Sequence, residues 1–319
     1  MTQIITFTPN PAIDVSTSVA KMAPYTKLRG ARPERHPGGG GINVARVVKR
    51  LGGDVIAVYP VGGVIGQYLS RLMDGEAVSS LTIRTEDETR EDFTVFEQAT
   101  KQQYRFVLPG AELSEPEWTA CLAAVAGVKP APEFIVASGS LPPGVPDDYF
   151  GKVARLAKTM NAKLIVDTAG VPLMAALQVG AFLIKPNLRE FRELTGVSST
   201  EDGVLIEAAR RIIDRGSVEI IAISLGPNGA LLITHDHALR ANGMKITPAS
   251  VVGAGDSFLG AMVWSLARNT DLNAALRYGV AAGSAALLNP GTELCRVADV
   301  ERLVSQVIVR PPLATNAAG

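Results

Sequence analysis

Cysteine is nearly absent. Cys121 and Cys295 are the two in 319 residues, far apart and without CxxC or other metal-ligand spacing, so two isolated thiols in a reducing compartment are expected. Surplus charge is absent too: 31 Lys+Arg balance 31 Asp+Glu, which argues against a nucleic-acid or anionic-membrane binder. No apolar run approaches the ~18 residues that would cross a bilayer. The first positive side chain is Lys21, so no secretory signal is expected, and a cytoplasmic location follows. Several catalytic signatures are missing. There is no GxxxxGK[ST], HExxH, GxSxG or HRD/DFG pair, which removes P-loop enzymes, zincins, common serine hydrolases and protein kinases. The clusters Gly38–Asn43 and Gly253–Phe258 both fail GxGxxG. The three histidines, His36, His235 and His237, stand in turn-like surroundings.

Glycine, by contrast, is plentiful at 31 residues, and 47% hydrophobic content is ample for a core. Short apolar runs at Ile4–Thr8, Val55–Tyr59, Phe134–Ser138, Lys163–Asp167, Phe182–Ile184 and Glu219–Ser224 read as strands. Helix-like stretches at Ile42–Leu51, Glu115–Ala126, Asp147–Met160 and Glu201–Arg215 lie between them, and the last third from Asp256 to Val309 reads as largely helical. This alternation predicts an α/β fold, a mostly parallel central sheet sandwiched by helices. Two segments, 15–34 and 90–108, read as strands without helices, a small antiparallel β flap. In it Lys27 with Arg29, Arg90 with Asp92, and Gln103 with Arg105 each share a face if extended. A solvated edge hairpin would read the same way.

Four stretches could carry chemistry. Val252-Gly253-Ala254-Gly255-Asp256-Ser257 opens an apolar helix, where backbone N–H groups and the helix dipole favour an anion. Asp256 is there either an N-cap or a general base beside that anion hole. Pro37-Gly38-Gly39-Gly40-Gly41-Ile42-Asn43 also precedes a helix, with glycines that would let a ligand approach backbone. Asn187 and Glu190 lie three apart after the apolar run ending at Lys185, as a capping box or as oxygen ligands for Mg²⁺. Ser224-Leu225-Gly226-Pro227-Asn228-Gly229 reads as a turn between strands.

Together these stretches resemble the ribokinase-like (PfkB) family of sugar kinases, over Thr6 to about Val309. Pro37–Leu51 and VVGAGDSFLGA at Val251–Ala261 carry the likeness most, supported by Lys27–Arg29, Gln103–Ala111, Ser138–Val145 and Gly279–Cys295. The resemblance implies one kinase domain over 1–309, the flap inserted at about 15–34 and 90–108, and a flexible tail at 310–319. It implies transfer of phosphoryl from ATP to O1 of fructose 6-phosphate, with tagatose 6-phosphate or fructose 1-phosphate as alternative substrates. A non-catalytic sugar-phosphate sensor is the alternative from another class. Asp256 would be the base and Gly253, Ala254 and Gly255 the anion hole. Asp14, Gly39, Gly40, Asn43 and Ser140 would face the sugar, and Lys27, Arg29, Arg90 and Arg105 its phosphate. Lys185, Asn187, Ser224, Gly226 and Gly229 would line the nucleotide site, with Asn187 and Glu190 organising Mg²⁺. A K⁺ site is implied at Ser250, Val252, Ala286, Asn289 and Gly291, although Glu293 stands where close relatives have Arg. The family also implies a homodimer through the flap. Relatives acting on fructose 1-phosphate carry Lys where this chain has Gly41, which favours a 6-phosphate substrate.

Overall fold

The computed structural model describes residues 4–312. The apolar runs become strands of one ten-stranded sheet. Third from one edge lies β1 (Ile4–Phe7), flanked on that side by β4 (Val55–Gly62) and β5 (Ser79–Thr85). On the other side follow β8 (Phe134–Ser138), β9 (Lys163–Asp167), β10 (Ala181–Ile184) and β11 (Val218–Ser224), all parallel to one another. Beyond them β12 (Ala230–Ile233), β13 (Ala238–Ala241) and β14 (Val309–Arg310) continue the sheet antiparallel.

Alternation along each strand sends side chains to opposite faces, which is why both faces need covering. Ile4, Val136, Ile165 and Leu183 face α1 (Gly40–Arg50), α2 (Gly63–Gly75), α8 (Ala254–Leu266), α9 (Leu272–Ala286) and α10 (Val297–Val304). Ile5, Phe7, Ala137 and Val166 face α3 (Glu115–Gly127), α4 (Tyr149–Thr159), α5 (Gly170–Val179), α6 (Leu188–Thr195) and α7 (Asp202–Ile213).

The flap is a separate four-stranded sheet in the order β3 (Glu34–Gly38), β2 (Ala12–Val19), β6 (Arg90–Glu97), β7 (Gln103–Phe106). Its outer pairs are antiparallel, and its central pair, β2 with β6, runs parallel. The flap strands therefore begin at Ala12 and reach Gly38, wider than the 15–34 expected. Residues 21–33, which carry Lys27 and Arg29, are irregular and exposed instead of extended. Arg310 pairs with Arg240 in the sheet, so the expected tail is ordered at its first residue; 313–319 lie outside the described residues. His36 sits inside β3 and is half-buried, whereas His235 and His237 are exposed in a turn.

Strand order reverses between β1 and β8, because the chain builds β4–β5 to one side and β8–β11 to the other. Such a switch leaves a crevice at the carboxyl ends of the strands. Helix α1 starts directly over it. A Cβ on Gly40 would lie 2.2 Å from Ser138 Oγ, and one on Gly41 would lie 2.8 Å from the Phe7 carbonyl oxygen. Gly39 adopts φ +106°. Gly40 and Gly41 thus pack closely on the ends of β8 and β1, a reason for glycine that the sequence did not show, beside the approach of a ligand that it suggested. In this backbone a Cβ at Gly41 would press on the ends of β1, so glycine is the residue that fits there.

Candidate active site

The first turn of α8 lies at this crevice. Its N-cap is Gly253, at φ +77°, and no side chain caps the first N–H groups. A Cβ at Gly253 would also meet Leu294 at 2.4 Å. Asp256 is therefore the third residue inside the helix, and the N-cap reading of it is excluded. Its Oδ2 instead accepts from Asn43 Nδ2 at 2.8 Å, joining α8 to α1. Burial pushes the Asp256 carboxyl above its ordinary range, while the Asn43 hydrogen bond, Lys185, Arg105 and Arg46 act against that. The result is a carboxylate more basic than usual, beside free backbone donors that would meet negative charge.

Lys185 directly follows β10 and is 6% exposed. Its Nζ lies 3.2 Å from Asp167 Oδ1, at the end of neighbouring β9. Burial would lower the Lys185 pKa, but Asp167, Asp256 and Glu190 outweigh it and hold the ammonium above its ordinary value. Burial raises Asp167 to about 6, against the pull of Lys185. Gly255 sits beside this ammonium, its Cβ position 3.5 Å from Nζ. A buried cation thus borders the first turn of α8.

Asn187 and Glu190 form the capping box of α6. Asn187 Oδ1 accepts from Glu190 N at 2.9 Å, and Glu190 Oε2 accepts from Asn187 N at 3.0 Å. Ser224 N donates to Pro186 O at 3.0 Å, which draws the end of β11 alongside. Residues Gly226–Asn228 form a 3₁₀ turn between β11 and β12, with Gly226 at φ +58° and Gly229 at φ +90°. Among the described residues no three His, Cys, Asp or Glu side chains gather as a metal cage.

Above the crevice the flap presents a polar face. Asp14 in β2 is in register with His36 on one side and Asp92 on the other. Burial raises Asp14 to about 6, opposed by Arg105 and reinforced by Asp92. Arg90 approaches Asp92 at 3.4 Å and donates to the carbonyls of Leu108 and Asn10, at 2.9 and 3.2 Å. Arg105 lies 4.0 Å from Asp92 and is half exposed, so it is the freer of the two cations. Lys27 and Arg29 make no hydrogen bond or ion pair with this face among the described residues. Ser140 Oγ accepts from Asn10 Nδ2 at 3.1 Å, at the exposed end of β8.

The implied K⁺ residues fall on two segments joined by the Ala249 N to Leu287 O hydrogen bond of 2.7 Å. Ser250 and Asn289 are buried there, and Gly291 takes φ +54°. Glu293 turns its carboxylate to Arg296, 2.8 Å away.

Three residues at the site carried no role in the sequence reading. Asp92 was visible as the face-mate of Arg90. Asp167 ends β9 and Lys185 directly follows the adjacent parallel strand, a spacing from which their pairing follows. Arg46 lies one turn after Asn43 on α1, and nothing in a run of apolar neighbours marks it as buried.

Known proteins share this arrangement. The description "pfkB family carbohydrate kinase" matches residues 8–299. The ATP-dependent 6-phosphofructokinase isozyme 2 of Mycobacterium tuberculosis is 44% identical over 300 residues, 94% of this chain and 88% of the relative. That of Escherichia coli is 39% identical over 304 residues, 95% of this chain and 98% of the relative. The structure of phosphofructokinase-2 from E. coli in complex with fructose-6-phosphate superimposes with a TM-score of 0.90 at 37% identity, covering 96% of this chain and 99% of that one. The same enzyme in complex with potassium gives 0.91 at 39% identity, with the same coverage.

Proposed function

The chain belongs to the pfkB family of carbohydrate kinases, and from that membership we infer that it phosphorylates fructose 6-phosphate at O1 with ATP. The observation that carries the reading is Asp256, a desolvated carboxylate in the first turn of a helix whose N–H groups no side chain caps. Asp256 accepts the O1 proton as O1 bonds to the γ-phosphorus and the bridging bond to ADP breaks. The N–H groups of Gly253, Ala254 and Gly255, with Lys185, offset charge on the transferring phosphoryl. Asp14 and Asn43, with Gly39, Gly40 and Ser140 around them, hold the sugar. Arg90 and Arg105 take its 6-phosphate, with Lys27 and Arg29 supplied by the exposed loop of the flap. Lys185, Asn187, Ser224, Gly226 and Gly229 line the nucleotide.

The donor set fits Mg²⁺ that arrives on the nucleotide phosphates, since Mg²⁺ keeps several waters and needs few protein oxygens. Glu190 retains Oε1 outside its cap, and Asn187 Oδ1 retains a second lone pair beside the Glu190 N–H, as acceptors for that water shell. When bound, the ion neutralises phosphate charge. The oxygens around Ser250, Val252, Ala286, Asn289 and Gly291 suit a monovalent cation, with Glu293 held away by Arg296. A second copy of the chain covers the apolar side of the flap, where Phe93, Phe106, Val107 and Leu108 are exposed.

A coupled ADP-release assay with fructose 6-phosphate, tagatose 6-phosphate and fructose 1-phosphate tests the reading. The expected order places fructose 6-phosphate highest in kcat/KM, and a preference for fructose 1-phosphate would sink it. Asp256→Asn is expected to lower kcat by ~10²–10⁴ while the unfolding midpoint holds.

A further inference from the structure

Among the described residues Arg46 is the largest whose side chain is completely buried, and the phosphoryl-transfer reading gives it no role. Its Nε donates to Glu76 Oε1 at 2.8 Å, and Nη2 contacts the same oxygen at 2.6 Å as an ion pair off the hydrogen-bond line. Nη1 reaches three acceptors: Pro37 O at 2.9 Å, Asn43 Oδ1 at 3.2 Å and Thr292 O at 3.2 Å. Glu76 is shared with Arg50, whose Nη2 lies 2.7 Å away. Burial alone would raise Glu76, but the two guanidinium groups hold it below the ordinary carboxylate range. A buried ion cluster of this kind is weak evidence for stability, because an apolar replacement often does as well. Its contacts point elsewhere.

A guanidinium only donates, and an ionised carboxylate only accepts. A carboxamide placed between them has one allowed orientation. Arg46 fixes Asn43 Oδ1, so the amide N–H₂ must face Asp256. Resting on the kinase reading above, we propose that Arg46, clamped by Glu76, is a positioning residue that locks Asn43 and through it aims the Asp256 carboxylate. The same guanidinium also holds the end of β3 through Pro37 and the 289–295 loop through Thr292, so the base, the root of the flap and that loop share one anchor.

The test compares Arg46→Lys and Arg46→Met with Arg50→Lys. The last loosens the same carboxylate without touching Asn43. The charged groups facing Asp256 are Lys185, Arg105 and Arg46, with Asp14 and Asp167 nearby, and only Arg46 is changed. Arg46→Met is expected to lower kcat by ~10–100-fold with KM for ATP little changed. The acid limb of the kcat profile should move to higher pH, since Asp256 loses the Arg46 charge and the fixed orientation of its Asn43 donor, both of which favour its charged form. Arg46→Lys should fall between Met and the native residue, because an ammonium cannot span Glu76, Pro37 and Asn43 together. Arg50→Lys should lower the unfolding midpoint and leave the acid limb in place. Carboxyl ¹³C titration of Asp256 in the ligand-free protein should show the same upward shift in Arg46→Met, and it needs no substrate. An unshifted Asp256 with only a lowered unfolding midpoint would overturn the proposal. A shifted Asp256 in a protein that does not phosphorylate fructose 6-phosphate would uphold it and sink the kinase reading alone.

Discussion

Asp14 keeps a carboxyl at 5% exposure with a pKa raised to about 6. Its ordinary value in an unfolded chain is near 3.8. Between these values the native state binds more protons than the unfolded one, so stability falls as pH rises through that window. Above about pH 6 the fold carries a desolvated charge worth roughly 3 kcal/mol. Asp14→Asn removes it. The variant is expected to melt higher than the native protein at pH 8, with the gain fading as pH falls toward 4, while KM for the sugar phosphate rises. Equal melting curves at pH 8 would show that Arg105 already compensates the charge. Asp256 and Asn43 stood out in the sequence because both follow glycines at helix starts. Which partner each takes did not, because the pairing crosses from α1 to α8 and no local spacing encodes it. The capping box of Asn187 and Glu190 is the opposite case, a three-residue pattern fully local to α6.

At the scale of elements, β8 and β9 were readable to the residue, since each is a short apolar run between breakers and buried on both faces. Others were not, α5, α2 and β5 among them. Helix α5 is apolar without a stripe and includes Pro172; α2 carries glycines at both ends; and β5 is an edge strand whose side chains are largely exposed, so none shows a buried period. The helix start at Gly40 was legible, but its reason was not. Four glycines suggest a ligand, and the contacts assign Gly40 and Gly41 to the strand ends beneath. Gly41→Ala is accordingly expected to destabilise the protein by ~1–3 kcal/mol, through a Cβ forced against the Phe7 carbonyl. Urea unfolding measures this. A variant as stable as the native chain, yet weakened in substrate binding, would return the glycine to a ligand role.

Across the whole molecule the flap has two unlike faces. One carries Asp14, Asp92, Arg90 and Arg105 toward the crevice; the other leaves Phe93 and Phe106 opposite one another in register and exposed. An exposed aromatic pair continued by Val107 and Leu108 is what a second subunit would cover. Phe93→Asp combined with Phe106→Asp is expected to convert a dimer to a monomer in sedimentation, with the melting of the main sheet retained. A native protein that sediments as a monomer at micromolar concentration would contradict the flap interface. The parallel pairing of β2 with β6 has one more consequence. Between those strands the chain makes β3, α1, β4, α2 and β5, so their ladder closes over a long stretch of chain. The ladder between β2 and β6 is accordingly expected to close late in folding. Its amides are expected to exchange sooner than those of the ten-stranded sheet, which native-state hydrogen exchange measures; equal protection in the two sheets would contradict this.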